Sequence, residues 1–207
     1  MSRFISMLST FFLWIAFMTT PAFAENPHRV LILGDSLTEG YGVAKDDSFP
    51  SVLEQELKSD GHVQTQIINA GISGSTSSSG LSRFKWSLKG KPDILILALG
   101  ANDGLRGLSP AEMKKNLKSV IDLAKENHVR VLLAGMKAPP NLGRAYTSAF
   151  DKVFSDLSKE EKVPLIPFLL AGIAGESTLN QSDGVHPNEK GHREMAKIVK
   201  KYLEPLL

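Results

Sequence analysis

Val30-Leu31-Ile32-Leu33-Gly34-Asp35-Ser36-Leu37-Thr38-Glu39-Gly40-Tyr41-Gly42 is the stretch from which the fold can be read. Its first four residues are apolar without polar alternation, the pattern of a strand buried on both faces of a parallel sheet. The run breaks at Gly34, and a serine follows two residues later, where the chain must leave the sheet. In open parallel sheets chemistry collects beyond the carboxyl ends of the strands, which makes Ser36 a candidate nucleophile. The competing reading is structural: Asp35 or Ser36 caps the next helix.

Outward from this strand, Ser48-Phe49-Pro50 predicts a helix to about Lys58, with Val52, Leu53 and Leu57 at helical spacing. Residues 63–69 read as a second strand running into Asn69-Ala70-Gly71-Ile72-Ser73-Gly74, with a helix start near Ser77 or Ser78. Residues 94–99 form the clearest strand and end at Gly100-Ala101-Asn102-Asp103. Ser109-Pro110-Ala111-Glu112 is a capping box with proline at the first helical position. It opens a helix to about Asn127 whose buried stripe is Met113, Leu117, Val120, Ile121 and Ala124. A strand at 129–134, a helix at 145–159 and a short strand at 163–166 follow. A long loop, 167–185, then precedes a helix capped by Asn188 and ending near Leu203. Loops of that length in compact domains are often functional.

This alternation predicts an α/β fold, a three-layer α/β/α sandwich around a five-stranded parallel sheet. The flavodoxin-like order 2-1-3-4-5 places the first strand beside a topological switch point. Gly34, Gly74 and Asn102 would then share one rim of the sheet. No internal repeat or linker is visible, so residues 25–207 are expected to be one domain.

Residues 1–24 have the layout of a secretory signal peptide: Arg3, a short apolar core from Phe11 to Met18, and Ala22-Phe23-Ala24 as the cleavage site. A stable membrane anchor is disfavoured because the core is short and broken by Thr19, Thr20 and Pro21. The expected product is exported, periplasmic or secreted. Without Arg3 the remaining charge is 23 basic against 22 acidic residues, with no basic block, so no nucleic-acid partner is expected. A monomer is the simplest expectation. The chain has no cysteine, which removes disulfides, thiolate nucleophiles and thiolate metal sites.

Covalent chemistry therefore falls to serine, histidine and carboxylates. The long loop ends in Asp183-Gly184-Val185-His186-Pro187. A tight turn there would let Asp183 hold His186, and His186 in turn would take the Ser36 proton. The structural alternative is a turn cap and a histidine that merely precedes a helix. His192, near Glu189, is expected on the surface. A metal held by Asp183, His186 and His192 would have three ligands at best, so neither metal nor cofactor is expected. Candidate oxyanion donors are the amides of Ser36 and Gly74 and the side chain of Asn102. Turn or cap roles are the alternatives for Gly74 and Asn102, and Asp103 is expected to be structural.

Taken together, Gly34-Asp35-Ser36-Leu37, the Asn69 to Gly74 stretch, Gly100-Ala101-Asn102-Asp103 and Asp183-Gly184-Val185-His186-Pro187 resemble the four blocks of the SGNH (GDSL) hydrolase family. The likeness spans essentially all of residues 25–207. It is strongest toward the bacterial thioesterase, lysophospholipase and arylesterase branch, through Asn102 to Gly107 and Val163 to Phe168. The resemblance implies Ser36 as nucleophile, His186 as base and then acid, and Asp183 as its orienter. It also implies an oxyanion hole of Ser36, Gly74 and Asn102. The implied activity is hydrolysis of small acyl esters or lysolipids, and of thioesters, without a cofactor. Substrate contacts are expected from Leu37, Gly104, Leu105, Arg106, Met136, Pro139 and Tyr146. The alternatives are a carbohydrate-ester deacetylase on the same fold and a non-catalytic binding domain.

Overall fold

The computed structural model describes residues 28–207; the expected signal peptide lies outside the described residues. Five parallel strands, β1 (Arg29–Gly34), β2 (Gln66–Gly71), β3 (Ile94–Ala98), β4 (Arg130–Ala134) and β5 (Leu165–Ile166), form one sheet in the order 2-1-3-4-5. β1 pairs with β2 from Arg29↔Gln66 to Gly34↔Gly71 and with β3 from Val30↔Ile94 to Gly34↔Ala98. The ends of these strands therefore lie level along one rim.

Seven helices are described: α1 (Ser36–Glu39), α2 (Phe49–Ser59), α3 (Gly80–Ser87), α4 (Ala101–Leu105), α5 (Pro110–Glu126), α6 (Arg144–Glu161) and α7 (Glu189–Leu203). α2 packs on α7, while α5 packs on both α3 and α6, giving the two outer layers. The buried residues of α5 are Met113, Leu117, Val120, Ile121 and Ala124, the stripe its spacing predicts. The Ser109 Oγ accepts from the Glu112 amide at its start. The central strands are buried on both faces, with Ile94 to Leu97 fully covered. No helix among the described residues is long and apolar enough to cross a membrane.

Three expectations shift. The second strand starts at Gln66, because the Val63 and Thr65 amides donate to Gly61 and His62 carbonyls in a turn. Pairing begins only where the Gln66 amide reaches the His28 carbonyl, and Val63 is left exposed. The two short helices α1 and α4 were not foreseen, since four and five residues are too few to show a period. His192 is not a surface residue. It is buried, its Nδ1 accepts the Phe49 amide at 3.2 Å, and its ring stacks on Phe49. It fastens the start of α2 to α7.

Burial lowers the His192 pKa to about 4 from 6.5, so the unfolded chain takes up this proton first as pH falls. The neutral imidazole contributes fully above pH 6.5, and stability drains as pH falls toward 4, by on the order of 3 kcal/mol. His192→Gln should show a flatter stability–pH curve than wild type across that window, measured by urea unfolding. An equally steep curve would assign the acid sensitivity to other groups.

Candidate active site

The rim is shaped by how closely α1 sits on the sheet. A Cβ on Gly34 would lie 1.9 Å from Thr38 Oγ1, and one on Gly71 would lie 2.1 Å from the Glu39 amide nitrogen. Only glycine at both strand ends allows this approach. The Asp35 carboxylate accepts the Leu37 amide at 3.1 Å and caps α1, so Ser36 occupies its first helical position. The capping and nucleophile readings of this stretch are therefore compatible: Asp35 caps while Ser36 faces the rim.

His186 Nε2 lies 3.0 Å from Ser36 Oγ, and His186 Nδ1 lies 2.6 Å from Asp183 Oδ2. The remaining Asp183 oxygen accepts the amides of Val185 and His186 at 2.9 and 3.0 Å. The His186 amide, its imidazole and the Val185 amide lower the Asp183 pKa to about 2. Asp183 thus stays ionised and accepts from Nδ1–H, leaving Nε2 as the acceptor for the serine hydroxyl. Tyr41 packs on the imidazole with ring centroids 4.6 Å apart. The long loop that carries this pair is braced from within. Asn180 Nδ2 donates to the Ile173 and Glu176 carbonyls, and Gln181 Nε2 donates to those of Tyr41 and Pro187.

The Ser36 and Gly74 amides find no acceptor among the described residues, and both residues line the cleft with Asn102 and His186. The peptide of Gly74 is held on both sides. Arg106 Nη2 donates to its carbonyl at 2.9 Å, and the Ser73 amide donates to Glu39 Oε2 at 2.7 Å. Asn102 Nδ2 donates to Asp35 Oδ2 at 3.4 Å, which orients one amide hydrogen and leaves the other. Burial raises the pKa of Asp35 to about 6, against the opposing pull of Leu37 and Asn102. Asp103 accepts the amide and hydroxyl of Ser77 at 2.8 and 2.6 Å, a structural bond as expected.

The cleft over Ser36 has a volume of about 330 Å³ and an apolar wall that includes Leu37, Leu105, Pro139, Leu170 and Val185. Of the expected substrate contacts, Leu37, Leu105 and Pro139 line it, and the four others are not among its lining residues. Gly104 is buried and tightly packed, since a Cβ would sit 3.0 Å from Phe150 Cζ. Arg106 is committed to the Gly74 carbonyl, Met136 is in the core, and the Tyr146 hydroxyl donates to the Leu108 carbonyl at 2.7 Å. The sequence places the Met136 to Tyr146 segment at the cleft, and Lys137 of that segment lines it, whereas Tyr41, Leu170 and Val185 were missed as cleft residues. Tyr41 and Val185 lie inside the motif stretches and were within reach; nothing local marked Leu170.

A doubly wound parallel sheet with serine, imidazole and carboxylate in relay at its rim, beside unpaired amide donors, defines a hydrolase class. The family model for GDSL-like lipases and acylhydrolases matches residues 32–194, and the chain belongs to that family. It is 36% identical over 197 residues to thioesterase 1/protease 1/lysophospholipase L1 of Escherichia coli, covering 95% of this chain and 92% of that one. It is 36% identical over 179 residues to esterase TesA of Pseudomonas aeruginosa, covering 86% and 89%. The crystal structure of a psychrotrophic esterase, EstA of Pseudoalteromonas sp., inhibited by monoethylphosphonate, superposes with a TM-score of 0.82 at 30% identity, covering 86% and 98%. The chain is a hydrolase acting on esters.

Asp35 gives this site a stability signature. Its raised pKa means the folded state holds the proton longer than the unfolded chain, so ionising Asp35 costs stability as pH rises from 3.8 through 6. Asp35→Asn removes that cost, and the variant should gain on wild type between pH 4 and pH 7, by on the order of 3 kcal/mol at most. Its turnover should fall, because an amide placed at Oδ2 meets Asn102 donor to donor. Paired urea titrations at the two pH values check the first expectation; an unchanged difference refutes it.

Proposed function

We propose that the chain is an exported serine esterase. It hydrolyses carboxylic esters of acyl chains, lysophospholipids and aryl esters among them, and thioesters, through an acyl-serine intermediate. The observation that carries this reading is the relay of 2.6 and 3.0 Å from Asp183 through His186 to Ser36, on a rim with unpaired amide donors. The apolar cleft wall supports an acyl chain, and the names of the esterase and thioesterase relatives support both bond types. The leader-like residues 1–24 support export, which favours lysolipids and small esters over the cytoplasmic acyl-CoA pool.

Ser36 Oγ attacks the acyl carbon as His186 Nε2 takes its proton, and the carbonyl electron pair moves onto oxygen. The Ser36 and Gly74 amides and the Asn102 side chain donate to that oxyanion, while Asp183 stabilises the imidazolium. Collapse expels the alcohol or thiol, which receives the proton from His186. Water then adds to the acyl-serine with the same imidazole as base, and the carboxylic acid leaves as Ser36 regains its proton.

Hydrolysis of p-nitrophenyl esters over a range of chain lengths tests this reading. Ser36→Ala should lower turnover by roughly ten-thousandfold or more, and Asn102→Ala by roughly a hundredfold. Folded Ser36→Ala protein retaining more than about a tenth of the wild-type rate would end the serine mechanism. Activity extending to octanoyl and longer esters is expected; a sharp optimum at acetate would instead favour a deacetylase.

A further inference from the structure

A second recess, of about 910 Å³, lies along the sheet edge and is larger than the catalytic cleft. It exists because β2 is an edge strand that α3 covers only in part, as the half-exposed pattern of β2 records. Its floor is the alternate residues of one sheet face, Leu31 and Leu33 of β1 with Ile68 and Ala70 of β2. Trp86 of α3 forms a wall and is 72% exposed, an unusual state for so large an apolar surface. Such a residue gains most when an apolar ligand covers it.

The charge around this groove is one-sided. Arg29, Arg83 and Lys89 line it, and no carboxylate does. Arg83 Nη2 donates to the Gly34 and Ala70 carbonyls, while its Nη1 is buried away from the groove's solvent without a partner among the described residues. Neither Arg29 nor Lys89 has an ion-pair partner among the described residues. These two mark the same end, since a Cβ on Gly90 would lie 4.0 Å from Arg29 Nη2. From there the floor follows the strands toward Ile72, a span of roughly 17 Å for the six paired residues. An apolar strip with two cations at one end, unpaired among the described residues, complements a single-chain amphiphile with an anionic head.

We propose that this groove binds a long-chain carboxylate, a fatty-acid anion, with its head between Arg29 and Lys89 and its chain along Ile68, Ala70 and Trp86. A cationic head would meet like charges, and a zwitterionic one would find no carboxylate for its ammonium group. The far end reaches Ile72, which is followed by Ser73 and Gly74 of the catalytic cleft. The ligand is also the acid that the proposed esterase reaction releases. That link alone rests on the esterase reading, and binding in the groove does not.

The sequence has two tryptophans, Trp14 and Trp86, so full-length protein carrying Trp14→Phe reports on the groove alone by its emission. Laurate, titrated below micelle formation, should shift that emission to shorter wavelength and saturate. Dodecanol and dodecylammonium should bind roughly tenfold or more weakly, and butyrate should give no shift. Lys89→Glu, an exposed change, should weaken laurate by roughly tenfold. Adding Ser36→Ala should leave the laurate curve in place, so a failed esterase reading would not disturb the result. The proposal is overturned if laurate gives no saturable shift, if dodecanol matches it, or if Lys89→Glu binds it unchanged. A response appearing only with micelles would also overturn it, marking a lipid-surface contact instead.

Discussion

Everything at the rim follows from one steric constraint, the direct seating of α1 on the carboxyl ends of β1 and β2. Gly34 and Gly71 have no side chains, so the Thr38 side chain and the Thr38–Glu39 backbone occupy space where a Cβ would otherwise stand. Seated there, α1 presents Ser36 at its first turn and sends Glu39 across to hold Ser73. The Asn69 side chain strengthens the corner, donating to the Thr38 carbonyl at 2.8 Å. A larger residue at either strand end would lift α1 and move nucleophile and amide donors together. Geometry of this kind lowers a barrier by fixing reactants in advance rather than by strong binding.

The site uses two carboxylates in opposite electrostatic states. Asp183 is open to solvent and held by two amides and an imidazole, which keep it ionised well below neutral pH. Asp35 is buried and its pKa is raised, yet it accepts the cap of α1 and orients Asn102. One carboxylate is tuned to carry charge beside the imidazole, the other to position donors at some cost in stability. His192 adds a third shifted group outside the site. Its window from 6.5 to 4 overlaps that of Asp35 with opposite sign, so the two partly offset each other in acid.

The elements that repeat a pattern were legible in the residues. The α5 stripe and the buried runs of β1, β3 and β4 each carry a period or an unbroken apolar stretch, and they appear where expected. The four motif stretches end up on one rim because each stands at a strand end or on the braced loop. Loop residues resisted the same reasoning. Arg106 and Tyr146 looked like cleft residues, but each satisfies a backbone carbonyl that the sequence does not reveal as needing a donor. His192 looked exposed from its place near Glu189, yet α7 turns it inward against α2.

By itself the sequence determined the order of the strands and longer helices, the buried faces of those with a clear period, and the residue types available for acyl chemistry. These are consequences of local periodicity and of which side chains exist at strand ends. Only the tertiary structure decided that Asp35 can both cap α1 and orient Asn102, that Arg106 serves the Gly74 carbonyl, and that β2 leaves an apolar groove beside Trp86. Those outcomes depend on pairs far apart along the chain, whose distances are set by layer packing and sheet register rather than by any neighbouring residue.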